Sequence, residues 1–412
     1  MRSGLAVTAV AGFSALDDAP TDAAAESLQS WAAVRRLFRL DPDLVHLGTF
    51  LLASHPRPVR EAIERHRRRL DANPVDYLHS HWQENEAAVL GPAAAYLGGR
   101  AADIALTDST TMGLALLYAG LDVRPGQELL TTTHDFFVTH EALATKAAHS
   151  GATVRKIQLY DRPEAASEDT IVERLAGAVR PETRVVALTW VHSSTGVKLP
   201  IRRIADALAP VNTNRPPSER LLLCVDGVHG FGVEDVDVAK LGCDFFASGC
   251  HKWLFGPRGT GLVWGAPDAW SHASATIPSF TGTATPGNAN TPGGFHSFEH
   301  RWALGEAFQL HRRIGRRRIA QRIHTLNRLF KDGVASMSHV ALHTPRSDAL
   351  SAGLVCFEVR GRQPESVVER LRARRIVATV TPYSRPYVRV APSILNTPAD
   401  VRAALAAIRA LA

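Results

Sequence analysis

Seven short apolar segments alternate with helix-length segments between about residue 100 and residue 265. They read ADIALTDS, ELLTTT, ATVRKIQL, RVVALTWV, LLLCVDG, DFFASG and GTGLVWG. Short β-rich segments separated by helices are typical of a mostly parallel sheet that is covered by helices on both faces. The pattern therefore predicts an α/β fold for this part of the chain.

The pattern differs on either side of this region. Residues 31–46 and 56–73 have helical spacing, and a further helix, ENEAAVLGPAAAYLG, is predicted from about residue 85. The segment 272–297 is rich in Gly, Thr and Pro. A long helix is predicted at about residues 299–330, followed by a smaller α/β pattern. We therefore expect a flexible tail, an N-terminal segment that packs with the small domain, a large cofactor-binding domain and a small C-terminal domain, at residues 1–30, 31–60, 61–305 and 306–412.

Polar clusters follow five of the predicted strands: TDSTT, THDFF, HSSTG, VDGVH and SGCHK. In open α/β sheets, ligands bind beyond the carboxyl ends of the strands. Five such clusters at one edge are hard to explain by structure alone. We therefore expect the functional site at this edge.

An acid and a lysine follow two consecutive strands. Asp226 ends LLLCVDG, and Lys252 comes just after DFFASG. Pyridoxal 5′-phosphate needs such a pair, because a lysine holds its aldehyde as a Schiff base and moves the substrate's α-proton, while a carboxylate keeps its pyridine nitrogen protonated. Lys252 as a surface side chain is the alternative, but FFASGCHKWLFG is too apolar for one. Asp226 could also be a strand-end turn residue.

Composition excludes several other classes. The chain has 412 residues, a net charge of +7 and a pI near 9.5, but its arginines are scattered or at helical spacing, so we expect no nucleic-acid partner. Its four cysteines lack CxxC spacing, which argues against zinc and disulfides and favours a reducing compartment. No apolar stretch approaches the roughly 20 residues of a membrane span. We expect a cytoplasmic protein without a metal site.

The motifs SGCHKW, VDGVHG, HSSTGVKLP and VRVAPSILNT resemble those of fold-type I pyridoxal-phosphate enzymes of the class V aminotransferase group. Within it, the isopenicillin N epimerase-like and cysteine desulfurase-like proteins are most similar. The resemblance covers about residues 30–412. It implies a fold-type I transferase with a mostly parallel seven-stranded sheet in the large domain and a smaller C-terminal α/β domain. It also implies a homodimer and an amino-acid substrate.

The resemblance gives roles to further residues. Ser109, Thr110 and Thr111 would open a helix whose free amides bind the phosphate, although an ordinary N-cap would have the same sequence. His251 would be a second phosphate ligand. His134 would stack on the cofactor ring, with the Phe136–Phe137 pair as the competing candidates.

Three more positions follow from the same motifs. Ser193 or Ser194 would lie near the ring's phenolic oxygen. His229 would contact that oxygen or Lys252, unless it is a packed loop histidine. Arg389 would bind the substrate carboxylate through a bidentate pair, the alternative being a solvent-facing strand arginine.

The chain departs from the family pattern at three places. The Gly-Thr that touches the phosphate from a neighbouring subunit is missing from GGFHSFEHRW, so His296, with His300 and Arg301, is expected in a specialised substrate pocket. Ala391 and Leu395 replace the usual serine and tyrosine of the C-terminal motif. No cysteine lies on a polar, mobile loop, which argues against a persulfide-forming desulfurase.

Proton loss at Cα can lead to elimination, epimerisation or transamination. We predict a lyase that cleaves the C–S bond of a cysteine-derived substrate in specialised metabolism. An epimerase or an aminotransferase is the alternative. A non-catalytic cofactor-binding protein is disfavoured, because Lys252 and Arg389 are both present and no DNA-binding module is.

Overall fold

The computed structural model describes residues 28–280 and 282–412. The predicted tail, residues 1–30, lies outside the described residues except for its last three. The α-helices are α1 (Trp31–Arg36), α2 (Arg57–Ala72), α3 (Pro74–Leu97), α4 (Thr110–Gly120), α5 (Phe137–Ser150), α6 (Glu168–Ala178), α7 (Ile201–Leu208), α8 (Pro286–Asn290), α9 (Phe298–Ile314), α10 (Arg316–Ala335), α11 (Pro364–Ala373) and α12 (Pro398–Arg409).

The strands are β1 (Val45–His46), β2 (Ile104–Thr107), β3 (Glu128–Thr132), β4 (Thr153–Ile157), β5 (Thr183–Thr189), β6 (Leu222–Asp226), β7 (Phe245–Gly249), β8 (Gly261–Gly265), β9 (Val340–Leu342), β10 (Val355–Val359), β11 (Ile376–Val377), β12 (Thr379–Val380) and β13 (Val388–Val390). Short 3₁₀ helices lie at Ala101–Asp103, Pro163–Ala165, Ala209–Asn212, Pro217–Glu219, Val238–Lys240 and Ala269–His272.

The central sheet has seven strands in the order β2–β8–β7–β6–β5–β3–β4. Only β8 pairs antiparallel with its neighbours, so the other six strands run in one direction. All seven strands are those predicted from the sequence. The expectation of a fold-type I α/β enzyme with a mostly parallel seven-stranded sheet is confirmed.

The sheet is buried on both faces, which explains the continuous apolar sequence of its strands. Alternate side chains of a strand point to opposite faces. Val225 and Phe246 belong to the larger core cluster on one face, whereas Cys224 and Phe245 belong to the cluster on the other face. Helices cover both clusters, as a parallel sheet requires.

A second sheet, β12–β13–β10–β9, lies in the C-terminal part of the chain and is antiparallel. Its core includes Phe330 of α10, Phe357 of β10 and Ile408 of α12. Leu47 is buried in the same core, next to strand β1, which pairs in parallel with β11. The part of the N-terminal segment around β1 therefore belongs to this layer, whereas Val34 and Phe50 are buried in the core of the large sheet.

Three helix predictions were wrong in their bounds. The helix expected at 31–46 ends at Arg36, and the chain then reaches β1, which pairs with β11. Pro42 keeps the helix from extending past Asp41, because a proline disfavours helical backbone in the residue before it. The helix expected from about residue 85 begins at Pro74, where the Asn73 side chain accepts the Asp76 N–H. The long helix expected at 299–330 is α9 followed by α10, separated by Gly315 with φ 96°.

None of the described helices is both long and apolar enough to cross a membrane.

Gly196 lies at a close contact between the large-sheet part of the chain and the C-terminal layer. It has φ 77°, and a Cβ there would lie 2.7 Å from the Leu354 carbonyl oxygen and 2.8 Å from Thr344 Oγ1. Gly126 has φ 80° with open space around it. Gly126→Ala should therefore cost only the conformational penalty of about 1–2 kcal/mol. Gly196→Ala should lower the free energy of unfolding by about 1–3 kcal/mol more than Gly126→Ala does, because the added methyl group overpacks the contact with Leu354 and Thr344. Thermal unfolding midpoints measure the difference, and equal midpoints would contradict this close contact.

Candidate active site

One cavity of about 160 Å³ lies at the carboxyl ends of the parallel strands and contains most of the predicted residues. Five of the segments that form it are the ends of β2, β3, β5, β6 and β7 with the residues that follow them. The others come from the N-terminal segment and from the C-terminal layer. The lining residues are Phe50, Leu51, Ser109, Thr110, Thr111, Leu114, Phe136, Val138, Thr189, Ser193, Asp226, Val228, His229, His251, Lys252, Pro382 and Arg389.

The N-terminus of α4 forms one wall. Ser109 is its N-cap and accepts the Met112 N–H at 3.1 Å, while Thr110 Oγ1 accepts the Gly249 N–H at 2.6 Å. The first-turn amides of Thr110 and Thr111 have no acceptor within the helix. Together with the helix dipole, they favour an anion at this wall.

Asp226 is the last residue of β6 and is buried. Its Oδ1 accepts the Val228 N–H at 3.0 Å. Burial raises the pKa of Asp226 to about 6, against the opposing effects of this hydrogen bond and of Lys252. The carboxyl is therefore ionised at neutral pH and suited to hold a cationic N–H. Its neighbour in register, Thr189, has a buried Oγ1 without a hydrogen-bond partner in the described chain.

Lys252 follows β7 in a turn held by the Cys250 N–H to the Thr260 carbonyl (2.9 Å) and the Phe255 N–H to the Lys252 carbonyl (3.0 Å). Burial lowers the pKa of the Lys252 amine to about 8; the charge of Asp226 opposes this shift and that of Arg389 adds to it. More of this amine is therefore unprotonated near neutral pH than of an ordinary lysine, although the protonated form still predominates at pH 7. An unprotonated amine is the form that attacks an aldehyde.

Two histidines flank Lys252 in neutral form. Burial holds the pKa of His229 well below its ordinary value, and its Nδ1 accepts the Trp253 indole N–H at 3.3 Å. Burial also lowers the pKa of His251, whose Nδ1 lies 3.2 Å from the Thr260 carbonyl. That carbonyl can only accept, so the proton of His251 is on Nδ1.

Arg389 enters the cavity from β13. It donates from Nη1 to the Ser193 carbonyl (2.9 Å) and from Nε to Thr379 Oγ1 (3.3 Å), and its guanidinium carbon is 4.4 Å from the Phe50 ring centroid. These contacts leave Nη2 without an acceptor in the described part of the chain. The side chain is 5% exposed, so this edge is a fixed, buried cationic donor.

Six residues with predicted roles do not line the cavity: Ser194, His300 and Arg301, and the three that follow. His134 stacks on Tyr160, with centroids 3.8 Å apart, and accepts the Leu159 N–H at Nε2; burial lowers its pKa to about 3. Phe137 begins α5 and is 56% exposed, whereas Phe136 reaches the cavity. His296 lines a neighbouring cavity, where its Nδ1 is 3.8 Å from Asp108.

The reason for the placements of His134 and Phe137 is Asp135, whose role the sequence motifs did not reveal. Its buried carboxylate accepts hydrogen bonds from Thr131 Oγ1, from the backbone and side chain of Thr132, and from the Thr189 N–H at 2.6 Å. The side chain of Asp135 thus occupies the space at the strand ends. His134, before it, packs on Tyr160, and Phe137, two residues after it, begins α5 and is exposed.

The apolar walls were not predicted from the sequence either. Phe50 and Leu51 come from the irregular segment after β1, and Pro382 from the loop before β13. No periodicity marks them, because each depends on the docking of the C-terminal layer. Thr189 could have been found, since it ends a predicted strand as Asp226 does.

No group of three or more His, Cys, Asp or Glu side chains in residues 28–280 and 282–412 is arranged to hold a metal ion. All four cysteines are buried and unpaired, and burial raises the pKa of Cys243 and Cys356 to about 12. None of these thiols is therefore an accessible nucleophile.

A comparison with protein families matches residues 53–407 to "Aminotransferase class-V". The chain belongs to the class V aminotransferase family. The predicted resemblance is thereby confirmed. This family uses pyridoxal 5′-phosphate, so the cofactor expected from Lys252 and Asp226 is confirmed as well.

Relatives of this class V chain have several activities. It is 25% identical to isopenicillin N epimerase of Streptomyces clavuligerus over 91% of the chain and 96% of the relative. It is 30% identical to isopenicillin N epimerase of Amycolatopsis lactamdurans over only 58% of each chain. Putative L-cysteine desulfhydrase 2 of Oryza sativa subsp. japonica is 26% identical over 61% of this chain and 52% of that one.

Solved structures show the same fold. A mutant of C-DES with glycine covalently linked to its pyridoxal-phosphate cofactor superposes with a TM-score of 0.83, at 22% identity, over 91% of this chain and 98% of that one. The cystine C–S lyase C-DES in complex with its product, cysteine persulfide, gives a TM-score of 0.81 at 22% identity, over 89% and 98% of the two chains.

The residues of the cavity fit the family's cofactor. The first turn of α4 offers free amides and hydroxyls to a phosphate, and a buried, ionised Asp226 is available to a pyridinium N–H. The unpartnered Thr189 hydroxyl lies beside it. Lys252, with a pKa of about 8, supplies the amine.

The two charges near Lys252 give a prediction for the cofactor-free protein. Labelling of Lys252 by acetic anhydride should rise with pH with a midpoint of about 8. Asp226→Asn removes a charge that raises this pKa, so the midpoint should fall. Arg389→Gln removes a charge that lowers it, so the midpoint should rise. Mass spectrometry gives the extent of labelling, normalised to the exposed Lys240; shifts in the same direction for both variants would contradict this electrostatic arrangement.

Proposed function

We propose that this class V enzyme is a lyase that acts at Cα of an amino acid and breaks the C–S bond of a cysteine-derived substrate by β-elimination. The observation that carries the proposal is the position of Lys252, whose partly unprotonated amine shares one buried cavity with Asp226 and with the free edge of Arg389.

The residues divide into cofactor and substrate groups. Asp226 would keep a proton on the pyridine nitrogen, and Ser109, Thr110 and Thr111 would bind the phosphate. Ser193, His229 and His251 would complete the cofactor's surroundings. When bound, pyridoxal 5′-phosphate makes the Cα proton of an amino acid removable by accepting the electron pair that remains.

Arg389 would fix the substrate. Its Nη2 edge faces the cavity as a charged donor, and a substrate carboxylate is the acceptor that such a donor binds most strongly. With the carboxylate held there, Lys252 would take the Cα proton. The C–S bond then breaks with both electrons on sulfur, which takes up a proton and leaves as a thiol. Water hydrolyses the released 2-aminoacrylate to ammonia and a 2-oxo acid.

The distribution of titratable groups favours elimination over epimerisation. Apart from Arg389, the titratable side chains that line the cavity are Asp226, His229, His251 and Lys252, all from two neighbouring strand ends. The other walls are apolar or carry hydroxyl groups, including Phe50, Phe136 and Pro382. Two-base epimerisation needs a second acid on the opposite face, and these walls offer none.

The cysteines separate this lyase from a persulfide-forming desulfurase. A desulfurase needs an accessible thiol to receive the sulfur, but all four cysteines are buried. The sulfur would therefore leave with the product. The buried, unpaired thiols also support our proposal of a reducing, cytoplasmic location.

An isopenicillin N epimerase-like epimerase is the second candidate. It is supported by the match to the Streptomyces clavuligerus enzyme over 91% of the chain. In that case a histidine, His229 or His251, would have to act as the second acid. Transamination is the third outcome of the same Cα chemistry. For each of these reactions we propose a homodimer, as the family resemblance implies.

One experiment separates the reactions. The holoenzyme is incubated in D₂O with L-cystine, S-methyl-L-cysteine or L-alanine, and Lys252→Ala and Lys240→Ala are the matched variants, the second changing an exposed lysine. Thiol or persulfide and a 2-oxo acid should form together with wild type and Lys240→Ala, and not with Lys252→Ala. Deuterium at Cα with inversion and without thiol release would show an epimerase instead.

Arg389→Ala should raise KM for the amino acid about ten- to hundredfold, because charge-assisted hydrogen bonds contribute about 1.5–3 kcal/mol. Arg389→Lys should recover only part of the loss, since an ammonium cannot keep the planar set of hydrogen bonds to Ser193 and Thr379 while it binds a carboxylate. Arg385→Ala, four residues earlier and 72% exposed, is the control. Steady-state kinetics give the values, and an unchanged KM in Arg389→Ala would place the carboxylate elsewhere.

A further inference from the structure

Tyr383 joins the two layers that enclose the cavity. It lies in the loop between β12 and β13, directly after Pro382, which lines the cavity. Its hydroxyl is 2.7 Å from Ser193 Oγ, at the end of β5 in the large sheet. Its ring packs edge-on against Phe136, with centroids 6.0 Å apart. Tyr383, which belongs to the C-terminal layer, therefore contacts two residues of the large-sheet side of the cavity, Ser193 and Phe136.

Ser193 is held twice from the C-terminal layer. Its hydroxyl bonds Tyr383, and its carbonyl accepts the Arg389 N–H at 2.9 Å. The position of the Arg389 guanidinium therefore depends on where the Ser193 segment lies, and that segment is fixed in turn by Tyr383. Tyr383, which does not line the cavity, is thus connected through Ser193 to Arg389, which does.

Tyr383 is not suited to proton transfer. Burial raises the pKa of its phenol above the ordinary value, with Asp226 acting in the same direction. The hydroxyl thus remains protonated at any pH at which the enzyme works. It can donate a permanent hydrogen bond, but it is a poor acid for a leaving thiolate.

We propose that Tyr383 is a positioning residue, which fastens the β12–β13 loop over the cavity through Ser193 and so sets the position of Arg389 for the substrate carboxylate. This proposal rests on the proposed role of Arg389. It predicts that loss of the Tyr383 hydroxyl weakens amino-acid binding more than it weakens the affinity for pyridoxal 5′-phosphate.

The test is a double-mutant cycle of Tyr383→Phe and Ser193→Ala. Tyr383→Phe removes only the hydroxyl group and should raise the dissociation constant of L-alanine, measured from the absorption change of the holoenzyme, about three- to tenfold, as expected for one neutral hydrogen bond. In the Ser193→Ala background the same substitution should have no further effect. Tyr387→Phe, in the same loop and packed on His343, is the matched control and should match wild type.

Hydrogen exchange gives a readout that does not depend on ligand or turnover. Amides of residues 379–390 should exchange faster in Tyr383→Phe than in wild type. Exchange in the double variant should be no faster than in Ser193→Ala alone. If Tyr383→Phe has the same effect on exchange with and without Ser193, or none at all, the fastening role is wrong. A wild-type holoenzyme without a spectral response to L-alanine, yet with the expected exchange pattern, would count against the proposed function and not against this contact.

Discussion

The site depends on keeping two opposite charges buried together. Moving a carboxylate or an ammonium out of water is costly, because burial favours the uncharged form of each group. Burial therefore raises the pKa of a carboxyl group and lowers that of an amine. Asp226 and Lys252 follow adjacent parallel strands, so their mutual attraction offsets part of this cost. The result is an amine near its midpoint and an ionised acid in one cavity.

The sheet supplies these groups, but it does not enclose them. Enclosure comes from the N-terminal segment and the C-terminal layer, which share one core through Leu47 and the β1–β11 pair. Phe50 and Arg389 reach the cavity from these parts and contact each other. The carboxylate site that we propose at Arg389 therefore exists only where the two layers meet.

The chemistry at Cα is common to the family, and the surrounding walls select the outcome. Here the titratable groups come from two strand ends, and the remaining walls are apolar or carry hydroxyl groups. Such an asymmetric cavity suits one base and a departing thiolate. Relatives of this chain are named both as epimerases and as desulfhydrases.

The sequence determined the parallel sheet and the residues at its strand ends, because burial on both faces requires continuous apolar strands and the polar residues after them collect at one edge. The places of Lys252 and Asp226 at this edge therefore follow from the sequence alone. The places of the ring-stacking residue and of the outer-wall residues do not follow from the sequence, since the direction of a side chain depends on its neighbours. For example, Asp135 occupies the strand ends and His134 stacks on Tyr160. Contacts between distant segments, such as Tyr383 with Ser193, have no periodic signal and were decided only by the tertiary structure.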